Sequence, residues 1–427
     1  MGNGIKTGTT LVGAFLLGSL CSFLPAGLQG YKLGMLGDDP DWNSLDIYQE
    51  TMSRADFVSA LDTIYLPYGY DRRFVSVDAN EARIKMNEDE GDQYYTFRFA
   101  PLVELEEPEA ISTSFIKNKN DKPLEGLVIA IDPGHIGGDF SELEWRHFQI
   151  YDDPPIKEGD LTLIVSRKLR TALEALGAKV SLIRNDAQPL TERRAEDFLN
   201  EAMEIEKGLY LEGVGRFLTH EPWESDWFKK QVQLRAEMLF YRVSEIQARA
   251  KLINEDIQPD LTLAVHFNVT PWLEKTHQEL PEENHMHVIV HGTYTPGELA
   301  LDDVRFHLFR KLLSRNHEIE IPLSSSVANS LAKISGLPAY HYGGKNASNQ
   351  GNNPYLWARN LLANRLYSGP VVFLEAYCTN SRNVYQRIQF GDYNGLRELD
   401  GETVQNLYSE YIEGVIEGIV DYYCEGS

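Results

Sequence analysis

Cysteine is scarce in this chain of 427 residues, which contains three of them. Cys21 lies in an apolar stretch near the amino terminus. Removal of that stretch would leave Cys378 and Cys424, which can form at most one intramolecular disulfide. A scaffold held by several disulfides is therefore excluded, and we expect a hydrophobic core to stabilise the fold. With 42% hydrophobic residues the chain can supply such a core, and its length suffices for two or three domains.

Basic residues are also in deficit, with 40 Lys and Arg against 64 Asp and Glu and a formal net charge of -24. Binding to nucleic acid requires cations that neutralise phosphates, so this balance argues strongly against a nucleic-acid partner. It argues equally against electrostatic attachment to anionic lipid. We interpret the excess acidic charge as a contribution to solubility.

The chain lacks an apolar run long enough to span a bilayer comfortably. Residues 10–24 are apolar or small and carry no charge, but they are too few for a permanent anchor. Lys6 precedes this run, and the small residues of Pro25-Ala26-Gly27 follow it, which is typical of a secretory signal. We predict a signal peptide over residues 1–27 and no stable membrane insertion after its removal. The mature protein is then expected to be periplasmic or secreted, in a bacterium.

The mature sequence divides into a small unit and a large one, with no internal repeats. Residues 28–44 are rich in Gly, Asp and Pro and are predicted to be a linker. In residues 45–101, apolar side chains at helical spacing are followed by three short segments with the pattern of strands, which predicts a small α+β domain. A second linker is predicted over residues 102–123, and residues 124–425 form the large unit, predicted to be catalytic.

Strands and helices alternate in the large unit, which predicts an α/β fold with a mostly parallel central sheet flanked by helices. A helix with one apolar stripe is predicted from Asp160 to Leu176, where Gly177 can end it. Charged, aromatic-bearing sequence at about 186–236 predicts a mainly helical insertion that serves as a lid or a wall above the site. The clearest buried strands are predicted at residues 127–132, 178–183, 261–267 and 371–374.

Chemically active side chains lie where these strands and helices begin or end. His135 follows a buried strand on a glycine-rich turn, and His266 and Glu375 stand at the carboxyl ends of two others. Ligands bind at that edge of open α/β sheets. Glu158 lies at the start of the predicted helix. Two His and one Glu are a ligand set for a catalytic zinc, and a second Glu has the chemistry of a general base.

Several segments in order resemble the zinc-dependent N-acetylmuramoyl-L-alanine amidases of the amidase-3 family. Residues 131–138 are similar to the family's Asp-Pro-Gly-His-Gly-Gly segment, and residues 157–163 to its Glu-Lys-Asp-Leu-Asn-Leu helix start. The resemblance spans about Leu127 to Val420, interrupted by the insertion. The further similar segments are residues 177–184, 249–254, 260–268 and 370–380.

The resemblance implies that Zn²⁺ is held by His135, Glu158 and His266 and that Glu375 is catalytic. It implies hydrolysis of the amide between N-acetylmuramic acid and L-alanine, with peptidoglycan or muropeptides as partners. The same resemblance suggests substrate contacts at Asn268, Tyr342, Arg359 and Asn360.

Some residues depart from the family pattern or admit other roles. Ile136 replaces a glycine, and His135 and Glu158 are farther apart than is usual, so a carboxylate between them stays open as the third ligand, Glu142 above all. Another exported zinc amidohydrolase or carboxypeptidase, or a non-catalytic wall-binding protein, also stays open. Other rivals for the third ligand are Glu144, Asp152 and Asp153. A second metal could be bound by His285, His287 and His291, which could instead be satisfied or substrate-facing strand residues. Cys378 could be a nucleophile or a packed thiol, and sugar stacking or a core role is open for Trp223, Trp227 and Phe228.

Overall fold

The computed structural model describes residues 39–87, 93–101, 122–213, 223–274 and 277–425. The predicted signal peptide, most of the first predicted linker and nearly all of the second lie outside the described residues. Within the described ranges no helix combines the length and apolarity that a membrane span requires.

The described strands form one large sheet, one three-stranded sheet and two hairpins. Their bounds are β1 Val75–Val77, β2 Glu81–Lys85, β3 Tyr94–Arg98, β4 Val128–Pro133, β5 His147–Phe148, β6 Ile156–Lys157, β7 Lys179–Leu182, β8 Leu261–Asn268, β9 His287–Val290, β10 Ser348–Asn349, β11 Leu356–Ala358, β12 Val371–Cys378, β13 Leu396–Leu399 and β14 Glu402–Gln405.

The large sheet has the strand order β10-β11-β9-β12-β8-β4-β7. Strands β7, β4, β8 and β12 are mutually parallel, whereas β9 runs antiparallel to β12. Strand β11 is parallel to β9, and β10 is antiparallel to β11. The central strands β4, β8 and β12 are buried along almost their whole length, as strands covered on both faces should be. The predicted α/β fold with a mostly parallel sheet is thereby confirmed.

Helices cover both faces of this sheet. Apolar side chains of α2, α8 and α11 pack on one face, and α5 and α9 pack on the other. The helix bounds are α1 Arg54–Ala60, α2 Glu158–Ala175, α3 Leu199–Gly213, α4 Asp226–Met238, α5 Glu245–Lys251, α6 Pro296–Leu299, α7 Asp302–Leu313, α8 His317–Ser335, α9 Leu362–Leu366, α10 Arg382–Gln389 and α11 Leu407–Glu425.

Apolar residues at helical spacing from Val404 to Ile419 predict a carboxyl-terminal helix that includes Val404, but the observed helix begins later. Val404 continues the helical periodicity in sequence, but it lies in the hairpin strand β14. The Asn406 side chain accepts hydrogen bonds from the backbone N–H groups of Tyr408 and Ser409, at 2.9 and 3.3 Å. This cap starts α11 at Leu407, so the assignment of Val404 to the helix is wrong.

The small amino-terminal unit packs directly on the large one. Its Trp42 ring meets Phe306 edge to face at 5.4 Å, and its Phe57 ring stacks with Phe309 at 6.1 Å. The Ile64 carbonyl accepts a hydrogen bond from the backbone of Thr293 at 2.7 Å. Apolar side chains of the two units therefore form one continuous core, consistent with a packing role for the small unit.

The helical insertion has a core of its own behind the His135 turn. Ile136 is fully buried in this core, among side chains that include Phe198 and Phe240. Of the aromatic residues predicted to pack there, Phe228 is buried and contacts Trp223, with ring centroids 4.8 Å apart.

The core interpretation is wrong for one of those aromatics, because Trp227 is 58% exposed. The Ile136 side chain, which replaces a family glycine, anchors the turn to the insertion. The described residues of the insertion therefore pack against the His135 turn, as a wall would, and a lid role is not tested by this contact.

Two glycines let the start of α2 approach that turn closely. A Cβ on Gly159 would lie 2.4 Å from the backbone nitrogen of Gly137 and 2.6 Å from its Cα. The Asp160 side chain accepts a hydrogen bond from the Gly138 N–H at 2.7 Å across the same contact. The position of Glu158 relative to His135 thus depends on residue 159 being a glycine, which has no Cβ.

We predict that Gly159→Ala destabilises the fold by roughly 2 kcal/mol, because steric overlap outweighs the usual gain of about 1 kcal/mol for Ala in a helix. Urea denaturation measures the change. Gly297→Ala is the matched control, since a Cβ there meets nothing within 4 Å. Equal stability of the two variants would contradict the close approach.

Candidate metal centre

Three donor side chains meet at the carboxyl edge of the parallel strands. His135 follows β4, His266 lies near the end of the adjacent β8, and Glu158 opens α2. Glu158 Oε2 lies 3.3 Å from His135 Nε2, and Glu158 Oε1 lies 3.3 Å from His266 Nδ1. One donor atom from each residue falls within 4.8 Å of the others, and this is the one such donor group found among the described residues.

The two 3.3 Å separations, each to a different oxygen of Glu158, are close to those between neighbouring ligands of a small four-coordinate cation. Donors bound to zinc at about 2.0–2.2 Å in tetrahedral geometry are roughly 3.3–3.5 Å apart. Glu158 is buried, and a carboxylate between two imidazoles provides the charge that a divalent cation needs. The donor chemistry and the spacing are therefore both suited to a metal ion.

Burial and neighbouring charges shift the pKa of each of the three donor residues. Burial raises the pKa of Glu158, but His135, His266 and Arg146 outweigh it and hold that pKa well below its usual range. Burial lowers the pKa of His266 and so favours its neutral, metal-binding form. Burial also opposes the charged form of His135, but Glu158 and Glu144 together raise its pKa.

Among the carboxylates weighed as third ligand, Glu158 alone lies with the two imidazoles. Glu142 is exposed at the end of a 3₁₀ turn. Glu144 is buried, accepts a 2.9 Å hydrogen bond from the Ile136 N–H and lies 3.5 Å from His135 Nδ1. Glu144 therefore orients the imidazole through the ring nitrogen that faces away from the other two donors, as carboxylates commonly do for metal-binding histidines.

Glu375 stands beside the three donors on the same face of the sheet. In the sheet register it is paired with His266 on one side and with His287 on the other. Residues directly opposite one another on neighbouring strands point to the same face. Burial, followed by the charge of Glu158, raises the pKa of Glu375 to about 8. A buried carboxyl group with a raised pKa thus adjoins the candidate metal centre.

Polar side chains continue across that sheet face beyond Glu375. The Tyr342 hydroxyl lies 2.9 Å from His287 Nε2 and accepts a hydrogen bond from Arg359 at 3.4 Å. The Arg359 guanidinium also lies 5.3 Å from the centre of the Tyr342 ring. Burial lowers the pKa of His287 to about 3, so the ring is neutral. Two of the predicted substrate contacts, Tyr342 and Arg359, are therefore near Glu375.

The other two predicted substrate contacts have structural partners. Asn360 donates to Glu298 at 3.0 Å and accepts from Arg365 at 2.9 Å, which uses both ends of its amide. The Asn268 side-chain oxygen accepts from the backbone of Val269 at 2.8 Å. Asn360 is thus held by its contacts with Glu298 and Arg365, and its role toward substrate stays a prediction.

The histidines that precede and follow β9, His285 and His291, have polar partners. His291 lies 2.8 Å from the Tyr294 hydroxyl and 3.3 Å from Asn364 Oδ1. The His285 ring lies 3.5 Å from Cys378 Sγ, and burial raises the pKa of that thiol to about 12. Cys378 is fully buried, which favours the packed thiol of its two interpretations.

Arg146, to which the sequence pattern assigns no role, lies beside the candidate metal centre. Its Nε donates to His135 Nε2 at 3.2 Å and lies 3.6 Å from Glu158 Oε2. The residue stands in the long segment between two predicted ligands. That unusual spacing was the signal that could have drawn attention to it.

Comparison with known proteins gives structural likenesses only. The chain matches no protein-family model and no curated protein. The apo form of the N-acetylmuramyl-L-alanine amidase Ami1 from Mycobacterium abscessus is 15% identical over 70% of this chain and 99% of its own, with a TM-score of 0.36. The amidase AmiC2 of Nostoc punctiforme is 13% identical over 70% of this chain and 98% of its own, also at 0.36. The CwlD amidase from Clostridioides difficile, in complex with the GerS lipoprotein, is 14% identical over 70% of this chain and all (100%) of its own, at 0.36.

We predict that Glu375→Gln stabilises the metal-free protein at pH 8. The folded pKa near 8 exceeds the ordinary 4.5, so the fold resists ionisation of Glu375 and loses stability as pH rises between these values. The neutral amide removes this penalty, worth about 1–2 kcal/mol after relaxation. Urea denaturation at pH 5 and pH 8 measures it, with the exposed Glu142→Gln as control. An advantage that fails to grow with pH would contradict the assignment.

Proposed function

We propose that this chain is an exported zinc-dependent amidase that hydrolyses the bond between N-acetylmuramic acid and L-alanine in peptidoglycan. The observation that carries the proposal is the convergence of His135, Glu158 and His266, with Glu375 paired to His266 in the sheet. The reaction and substrate follow from the resemblance of the segments that hold these residues to the amidase-3 family. Residues 124–425 are proposed as the catalytic domain.

The three donors suit a catalytic rather than a structural zinc. Three protein ligands leave one position open, whereas structural sites use four. When bound, zinc would supply Lewis-acid activation of water and of the scissile carbonyl. His135, Glu158 and His266 are the residues proposed to hold it.

Neighbouring groups fix the orientation of each donor. The Phe373 ring stacks on His266 with centroids 4.4 Å apart and planes 13° from parallel. The backbone N–H of Phe267 donates to Glu158 Oε1 at 3.2 Å. With Glu144 behind His135, every proposed ligand has a partner that limits its rotation. Arg146 donates to His135 Nε2, so this hydrogen bond has to break when that atom binds a metal.

Glu375 is proposed to move the proton. A carboxylate there accepts a proton from the attacking water and then donates it to the departing amine of L-alanine. Burial raises the pKa of Glu375, whereas the charge of a zinc ion bound nearby would lower it and favour the carboxylate that accepts the proton.

The peptide is proposed to extend over β9 and β11. Arg359 presents a guanidinium there, which suits the carboxylates of a stem peptide. Tyr342 orients that guanidinium through a hydrogen bond and a ring contact. The same pair would also suit the free carboxylate of a peptide terminus, which keeps a zinc carboxypeptidase as the second candidate. Asn268 and Asn360 are proposed to act through the local backbone and the loop that carries Arg359.

We predict that the purified chain binds about one zinc ion per molecule and that His135→Ala or His266→Ala abolishes binding, since either change removes one of three protein ligands. Metal content after dialysis against a weak chelator measures this. His341→Ala, which changes an exposed histidine, is the control. Full zinc content in both ligand variants would disprove the metal site.

We also predict that Glu375→Gln retains zinc but lowers kcat on a muramyl dipeptide by roughly 100-fold, the scale expected for loss of a general base. Mass analysis of products from intact sacculi, muropeptides and free peptides identifies the bond. Release of free L-alanyl peptides from the sugar supports the amidase. Cleavage confined to peptide termini would instead support the carboxypeptidase.

A further inference from the structure

Strand β12 is irregular immediately after Glu375. Glu375 is paired with His266 on β8, but the next pair joins Cys378 to Asn268. Between these pairs β12 advances from 375 to 378 and β8 from 266 to 268, so β12 contains one extra residue. Such a β-bulge bends its strand and changes the direction of nearby side chains, and bulges are frequent next to active sites. The bulge therefore lies where it can set the direction of the Glu375 side chain.

Tyr377 has the unusual backbone conformation of this bulge. Its φ is +62°, in the left-handed region that a bulky residue rarely adopts. Of the described non-glycine residues with a positive φ, it is the one that lies inside a strand. Regular alternation would place Tyr377 on the sheet face that carries Phe373 and Glu375. Instead its ring lies 5.6 Å from that of Tyr411 on α11, in the same core as its neighbour Ala376. The left-handed turn thus directs Tyr377 toward α11, away from the face of Glu375.

An ion pair between two helices holds the Tyr377 side chain. The Tyr377 hydroxyl donates to Glu410 Oε1 of α11 at 2.9 Å. Arg387 of α10 donates to both oxygens of Glu410, at 3.2 and 2.7 Å. Tyr377 and Arg387 are both buried. Because Glu410 cannot turn away without leaving a buried guanidinium unpaired, the Tyr377 hydroxyl has a fixed acceptor. A strained residue that is held in this way beside a candidate active site points to a role in that site.

The neighbouring residue of α11 holds the adjacent strand. The Tyr411 hydroxyl donates to the backbone carbonyl of His266 at 2.8 Å. The Tyr411 ring also meets Phe267 edge to face at 5.4 Å. The consecutive residues Glu410 and Tyr411 therefore contact β12 just after Glu375 and β8 at His266. Helix α11 thus fixes these two strands relative to each other at the edge of the sheet that carries the site.

We propose that Tyr377 is a positioning residue, which holds the bulge in its left-handed conformation through Glu410 and so fixes the Glu375 carboxyl beside His266. The inference rests on the proposed function for the role of Glu375 in moving the proton. A proton acceptor must lie within hydrogen-bond reach of the attacking water. A small displacement of the carboxyl therefore slows the reaction, but it does not release the substrate or the metal.

Tyr377→Phe in the zinc-loaded full chain tests the anchor, since it keeps the ring and removes the hydroxyl. We expect it to lower kcat on a muramyl dipeptide about tenfold, with KM and zinc content unchanged. A residue that only stabilised the core would lower the Tm and leave kcat per zinc-loaded molecule as it was. Tyr393→Phe is the control, because it removes a hydroxyl that donates to the Val404 carbonyl at 3.3 Å in the β13–β14 hairpin region, and it should keep the kcat of the parent.

Tyr377→Gly and Tyr377→Ala together test the backbone turn. Both variants remove the ring and leave nearly the same cavity, but glycine adopts a positive φ without strain and alanine does not. We expect kcat of the Gly variant to exceed that of the Ala variant by roughly tenfold at equal KM. The Gly variant should also have the higher Tm, which reverses the usual order of these two residues inside a strand.

A Tyr377→Phe variant with the kcat of the parent, or Ala and Gly variants with equal kcat, would overturn the positioning role. Failure of the proposed function gives a different result, because the parent itself then releases no L-alanyl peptide from the sugar. If the parent instead cleaves peptide termini, the same variants are compared on that peptide, where Glu375 would also move the proton. A parent that cleaves neither substrate overturns both proposals.

Discussion

Two buried arginines hold the turn that carries His135, and the rest of the site depends on this contact. Arg249 donates at 2.9 Å to the carbonyls of both Pro133 and His135, while Arg184 donates to those of Pro133 and Gly134. Asp132 pairs with Arg249 at 2.9 Å, which keeps that guanidinium charged despite burial. Loss of one partner of a buried ion pair costs about 3–5 kcal/mol, so the turn has little freedom to relax. Arg184 also reaches the Gly159 carbonyl and so links the His135 turn to the start of α2.

The parallel strands then bring distant residues together at low cost. β4 and β8 are neighbours, so the residues at their carboxyl ends meet at one edge although they are far apart in sequence. β12 adds Glu375 on the other side of β8, and the antiparallel β9 adds His287 beside it. The site is therefore continuous over a row of adjacent strands. The insertion supports it from behind through Ile136, and the long segment before Glu158 supplies Glu144 and Arg146 beside His135.

The sequence predicts the parts of this arrangement that depend on local pattern. Uniform apolar runs predict β4, β8 and β12, and polar residues at their ends predict where His135, His266 and Glu375 meet. The direction of β9 could not be predicted, because an apolar strand has the same pattern whichever way its neighbours run. The positions of Glu144 and Arg146 depend on how the segment after Ile136 folds, which has no periodicity. Val404 was assigned to the wrong element because a single side-chain cap at Asn406 outweighs a continuing apolar pattern.

The central claim is that two imidazoles and one carboxylate hold a single zinc ion. X-ray absorption spectroscopy of the zinc-loaded full chain measures the number and kind of ligands directly. The account predicts a first shell of nitrogen and oxygen at about 2.0–2.2 Å, with two imidazoles and no sulfur. Replacement of His266 by Ala should remove one imidazole from any residual signal. A sulfur ligand at about 2.3 Å, which Cys378 or Cys424 would supply, or a shell without imidazole, would contradict the account.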